Sequence, residues 1–177
     1  MRIWYQSFSG IGFDPSWRVY EELLKSYVQK VARADTTIHV HGVERFAPRM
    51  VHSKYFQYLH LKQVVDNALK AEQEGYDAFV LGGMLDHGYF ELREVVDIPV
   101  LFIGETAFYV ACLMSPRFAV VAASEVVLRG IEENIKLYGL SERMLPGSHI
   151  GTTSERTLVA SFAADPQPII DKVVTAA

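Results

Sequence analysis

Asp86 and His87 stand side by side just after Gly82-Gly83, at the end of an apolar run. A carboxylate next to an imidazole is suited to general acid–base work. Asp86 can equally cap the helix expected after it, and the two roles are compatible. His39 and His41 alternate around Val40 on what reads as a strand. Both imidazoles then share a face and would chelate a metal if carboxylates converged on them. The reading adopted is two histidines at the wet end of an early strand, with no metal expected. His52, His60 and His149 have no ligand spacing to anything and read as surface or loop residues. Glu105 follows Ile103-Gly104 and opens a helix, where the dipole favours a carboxylate; it reads as a structural cap rather than pocket lining. Cys112 lies in Ala107–Met114, apolar on nearly all faces, and reads as a packing cysteine rather than a reactive thiol.

These residues need elements to hold them. Arg2–Phe8 is β-rich, and Asp14-Pro15 reads as an N-cap with proline at the first helical position. Trp17, Tyr20, Leu23, Leu24, Tyr27, Val28 and Val31 recur at helical spacing. A strand follows around Thr37–Val40, then an irregular stretch over 44–55 with Pro48. A long helix over Phe56–Gln73 stops at Gly75. Asp77–Gly83 is a short continuous apolar run closed by two glycines, as a parallel strand buried on both faces should be. The pattern predicts a helix over 86–95, a strand over 98–104 and a helix over 105–114. It then predicts a strand over 118–123, and a helix capped by Ser124 and ended by Gly139. A strand is expected within 143–150, then one or two helices with a boundary at Asp165-Pro166. Alternating strands and helices predict an α/β fold: an open parallel sheet of flavodoxin or Rossmann type. Ligands of such sheets bind beyond the carboxyl ends of the strands, here Gln6-Ser7-Phe8, Gly82-Gly83-Met84, Gly104-Glu105 and Ala122-Ala123-Ser124.

Composition narrows the function. The chain has 177 residues, 50% hydrophobic and 21% charged, which excludes a disordered chain. Its 17 basic and 21 acidic residues are mixed without a basic stripe, so no nucleic-acid partner is expected. Apolar runs are strand-sized and no signal-peptide pattern opens the sequence, so no membrane partner and a cytoplasmic setting are expected. One cysteine cannot form an intrachain disulfide. Gly10-Ile11-Gly12 follows the first strand, but Pro15 occupies the place of the third glycine of a dinucleotide fingerprint. P-loop and nucleophile-elbow patterns are missing as well.

Three pieces together resemble the aspartate/glutamate/hydantoin racemase superfamily: Glu74–Gly82; Asp86-His87-Gly88-Tyr89 leading into Val95–Val100; and Ile103–Ala107 with Arg117–Val121. The resemblance runs from the first strand to about Leu140 and is most specific in its middle third. It implies two similar α/β lobes, a small carboxylate or hydantoin as substrate, and no pyridoxal phosphate or other cofactor. In that family two cysteines face each other across the substrate's α-carbon, one removing a proton and the other returning one, as inversion at carbon requires. The first of these positions corresponds to Gly83, and the family's threonine pair corresponds to Ala122-Ala123, leaving Ser124 as the hydroxyl. The strand for the second cysteine would lie beyond Ala177.

Arylmalonate decarboxylases also carry glycine at the first position and protonate from one face. A hydantoin-racemase-like subgroup lacks both cysteines, and Ile3–Phe8 looks most like it. The expected function is therefore a racemase-like isomerase, with Asp86 and His87 as proton carriers. Gln6, Ser7 and Ser124 would be the hydrogen-bond donors, with Gly83 and Met84 beside the substrate. A decarboxylase-type lyase and a non-catalytic small-molecule binder on the same scaffold are the alternatives. The expected domains are a first lobe over 1–115 and a partial second lobe over 116–177. A two-stranded second sheet would leave an apolar edge, so a homo-oligomer, loose packing or a fragment is expected.

Overall fold

The computed structural model describes residues 1–46, 53–152 and 155–177, with side chains for all of these but 155–157. Two compact units divide the chain, Met1–Ile103 and Gly104–Ala177. The first is built on four parallel strands: β1 (Arg2–Ser7), β2 (Thr37–His41), β3 (Ala78–Gly82) and β4 (Val100–Phe102), in the order β2-β1-β3-β4. Its helices are α1 (Arg18–Val31), α2 (Lys54–Gln73) and the short α3 (Glu91–Val95). This is the expected open parallel sheet. The strand order reverses between β1 and β3, whose register pairs Ser7 with Gly82. The ligand crevice of such a sheet opens at that reversal, at the carboxyl ends of the strands.

Alternation along β1 sends Trp4 and Gln6 to one face and Tyr5 and Ser7 to the other. On the first face Trp4, Phe79, Leu81, Leu92 and Phe102 form the core with the inner side of α2. That side is a ridge at spacings of four and three, His60, Val64, Ala68 and Ala71, all buried. Ser53 starts α2 by accepting from the Phe56 amide, and Gly75, at φ 72°, ends it as its type predicts.

Several boundaries differ from expectation. Asp86 does not cap a helix: α3 begins at Glu91, and a turn occupies 87–90. The strand expected over 98–104 is only Val100–Phe102, because α4 (Ile103–Met114) starts two residues earlier than predicted. His60 is not a surface residue. It is 1% exposed and donates from Nδ1 to the Phe56 carbonyl at 2.7 Å. His52 and Pro48 lie outside the described residues. His39 and His41 share a face, but each is engaged by an aromatic neighbour. His39 Nδ1 lies 2.6 Å from the Tyr76 hydroxyl, and His41 stacks on Trp4 with ring centroids 3.5 Å apart. Among the described residues no group of three or more His, Cys, Asp or Glu is placed to hold a metal.

The second unit holds most of α4 and two short parallel strands, β5 (Val121–Ala122) and β6 (Ser148–His149). It also holds α5 (Glu125–Leu137), α6 (Glu155–Ala164) and α7 (Gln167–Ala176). Leu128, Ile131 and Ile135 form the buried side of α5, and Phe108 stacks on Phe118 at 5.6 Å. Gly139, at φ 73°, ends the α5 segment, and Asp165-Pro166 separates α6 from α7, both as expected. The strand sought over 143–150 is reduced to β6 and one bridge, Phe118 with Met144. Cys112 is half-buried, not enclosed, because α4 leaves its last turn exposed at Leu113 and Met114. Among the described residues no helix is long and apolar enough to cross a membrane.

Two measurements check this packing. A Cβ on Gly42 would stand 2.3 Å from the Ile11 carbonyl oxygen and 2.7 Å from that of Ser9, both backbone. Gly42→Ala should therefore destabilise the protein by about 2–3 kcal/mol. Gly83→Ala, with nothing within 4 Å of the new Cβ, should stay within about 0.5 kcal/mol in the same urea titration. The second check is acid lability. Burial, then repulsion from His39 and Lys70, hold His41 down to about 4 from the usual 6.5. The unfolded chain takes up that proton near pH 6.5 and the folded chain refuses it until about pH 4, so stability should fall as pH drops through this window. His41→Phe should flatten the slope of urea midpoint against pH between those values.

Candidate functional site

At the sheet reversal, β1 exits into Phe8-Ser9-Gly10 and β3 into Gly83-Met84-Leu85-Asp86-His87. Gln6 is completely buried. Its Oε1 accepts from Trp4 Nε1 at 3.0 Å and Asn67 Nδ2 at 2.9 Å, and its Nε2 donates to the Ser7 carbonyl at 2.9 Å. The donor expected from Gln6 is thus turned inward. A buried amide is costly without partners, and here it ties β1 to α2.

On the opposite face is a cluster of hydroxyls. Ser7 Oγ lies 2.7 Å from Ser9 Oγ and accepts from the Ser9 amide at 3.2 Å. Tyr20, from α1, also hydrogen-bonds to Ser7, which partly offsets the burial that raises its phenol above the ordinary value. Tyr5 is raised further by burial, and then by its neighbour Tyr20. The Tyr5 phenol lies over Gly82, where a Cβ would come within 2.3 Å of its ring and hydroxyl. Gly82 is therefore glycine because the phenol occupies the place of a side chain. Gly83, the next residue, faces open space.

The turn after Gly83 is closed by the Asp86 amide donating to the Gly83 carbonyl at 3.1 Å. Asp86 is 3% exposed and has φ 43°, a left-handed conformation that aspartate tolerates better than most residues. Gly88 follows at φ 80°. This pair of left-handed residues sets His87 against Phe8, ring centroids 4.7 Å apart, while Phe8 stacks on His60 at 6.1 Å. Burial first, then the positive charge of Lys54 and the neighbouring His60, hold His87 down to about 4. His87 is consequently a neutral imidazole at physiological pH. His60 is lowered in the same direction by burial.

In the first unit Gly83, Met84, Asp86 and His87 share the β3 exit, with His87 against Phe8, whereas the Ser7 hydroxyl lies on the other face of β1 with Ser9 and Tyr20, and Gln6 is bound to α2. Ser124 belongs to the second unit, at the exit of β5. Its hydroxyl accepts from the Val127 amide at 3.4 Å as the α5 cap. A hydroxyl that accepts still has its proton to give. Glu105 stands in the first turn of α4, where the dipole argument put it. Sequence reasoning missed His60, Tyr5, Tyr20 and Ser9. For His60 the signal was its spacing of four from Val64, which puts it on the buried ridge of α2.

Residues 10–176 match the sequence profile of the Asp/Glu/Hydantoin racemase family. Hydantoin racemase of Pseudomonas sp. (strain NS671) is 34% identical over 143 residues, 81% of this chain and 55% of that protein. The chain spans about half the length of the curated relatives it matches. The fold is similar to allantoin racemase from Pseudomonas fluorescens, with a TM-score of 0.77 and 23% identity over 99% of this chain and 69% of that one. It is equally similar to allantoin racemase from Klebsiella pneumoniae, with a TM-score of 0.77 and 19% identity over 98% and 66%. The profile match extends over nearly the whole chain, from the β1 exit loop through α7, and the chain belongs to the Asp/Glu/hydantoin racemase family.

Proposed function

We propose that this protein is a cofactor-independent, racemase-type isomerase that moves a proton at the carbon next to a carboxylate or imide of a small substrate. The observation that carries this reading is the β3 exit. There a side-chain-free position, Gly83, opens at the sheet reversal four residues before a half-buried neutral imidazole, His87. A neutral imidazole takes up a proton rather than delivering one. Its low proton affinity in the free protein is no obstacle, since a bound carboxylate or imidate raises it by opposite-charge attraction. Asp86 is assigned as the second proton carrier. Ser7 is assigned as a hydroxyl donor to the charge that develops on the substrate oxygens. Gly83 and Met84 line the substrate, and Gln6 serves as the frame behind them. Relatives named hydantoin racemase and allantoin racemase support a cyclic imide as substrate class.

The same open space at Gly83 favours a second reading, a lyase-like relative in which the glycine makes room for a second carboxyl group. The substrate decides between them. In D₂O the isomerase should exchange the α-proton of 5-substituted hydantoins, allantoin or amino acids, followed by proton NMR. Release of carbon dioxide from malonates without such exchange would favour the lyase, and a folded protein inert toward all of them would defeat both. His87→Gln should lower α-proton exchange by about 100-fold or more without moving the urea midpoint outside the neutral range of effects. Gly83→Cys should fold as well as the parent and raise exchange about tenfold or more, because a thiol is better matched to neutral pH than this imidazole. An unchanged rate would show that Gly83 does not face the reacting carbon.

A further inference from the structure

Helix α1 carries two apolar faces. The inner one presents Leu24 and Val28, with Trp17 buried just ahead of it. The outer one is a ridge at strict spacing of four, Val19, Leu23, Tyr27 and Val31, which are 45%, 55%, 65% and 60% exposed. Periodicity counted Leu23, Tyr27 and Val31 with the inner residues, and the structure separates them. Beside this ridge runs a second one, also at spacing of four: Glu22, Ser26 and Lys30, all exposed. It places an acid at one end, a base at the other and a small residue midway.

We infer that this outer face of α1 docks on the same face of a second copy of the chain, antiparallel, about a two-fold axis through Ser26. A two-fold contact must be complementary to itself, and this one is in two respects. Rotation about Ser26 brings Glu22, four residues before it, opposite the partner's Lys30, four residues after it, and the converse pair forms symmetrically. In the same register the apolar ridges interdigitate, with Leu23 falling between the partner's Tyr27 and the partner's Val31, as ridges packed into grooves require. Ser26 meets its own copy on the axis, where a small side chain permits close approach. Glu22 pairs with Arg18, an exposed contact one turn away at 2.9 Å, which is cheap to exchange. With α1 about 21 Å long, the contact buries less than the roughly 800 Å² per partner of a tight complex, so a dissociation constant in roughly the micromolar range is expected.

Sedimentation velocity on the full chain, from below the micromolar range to about 100 µM, tests this. Reversible dimers are expected, and Leu23→Asp should weaken them at least tenfold. Glu22→Lys and Lys30→Glu should each weaken association, and the double variant E22K/K30E should restore it. That rescue requires Glu22 of one copy to face Lys30 of the other, and a cysteine cross-link reports the two-fold axis. In a C112S background, Ser26→Cys should oxidise to a covalent dimer, whereas Arg33→Cys, about 21 Å from its copy in this register, should not. A monomer throughout the range, dimers indifferent to Leu23→Asp, a charge swap without rescue, or no Ser26→Cys cross-link would each overturn the inference.

Discussion

The candidate site rests on the carboxyl ends of β1 and β3, paired in register from Ile3 with Ala78 to Ser7 with Gly82, and the buried amide of Gln6 anchors β1 to α2 beneath it. It accepts from a tryptophan on its own strand and from Asn67 on α2, and donates to the backbone one residue on. An amide enclosed without those partners would cost several kcal/mol, so β1 and α2 are held together at this point. The two faces of β1 then carry different chemistry outward from that point. One leads through Phe8 to paired imidazoles, the other through Ser7 to a line of hydroxyls.

Gly82 and Gly83 show how neighbouring identical residues can be glycine for opposite reasons. At Gly82 a tyrosine ring fills the place of the side chain; at Gly83 nothing does. Family membership concerns the scaffold, and chemistry depends on the groups it carries. The resemblance sets Gly83 at the place of a family thiol, and on the proposed reading the proton carriers come from the following turn. That turn is shaped by two departures into left-handed backbone, Asp86 and Gly88, on either side of the imidazole.

The sheet was readable because its strands are short β-rich runs between helical patterns, and β3, an apolar run closed by glycine, is the plainest example. The caps at Asp14, Ser53 and Ser124 followed from residue type, though only the first and last were anticipated. The helix after β3 was placed too early because an acidic residue before an apolar run looks the same whether it caps a helix or enters a left-handed turn. His60 was misplaced for a related reason. A histidine is sorted by its polarity unless its spacing from Val64 and Ala68 is weighed, and on α2 the spacing decides. The outward ridge of α1 was hidden by the same arithmetic, since offsets of three and four merge two adjacent faces into one. Hydroxyl contacts among Tyr20, Ser7 and Ser9 join residues of different elements, and no local pattern announces them.

The carboxyl end of α4 shows a different kind of dependence. Its final carbonyls, and those of the loop just beyond, are gathered by a single guanidinium: Arg143 donates to Cys112 at 3.0 Å, to Ser115 at 2.9 Å and to Pro116. That side chain lies about thirty residues downstream, past β5 and α5, just before the bridge of Phe118 with Met144. On a ribosome the chain would deliver α4 long before the residue that seals it. Until α5 has folded back, the carbonyls at the end of α4 lack this guanidinium, so the finish of that helix depends on sequence that comes much later.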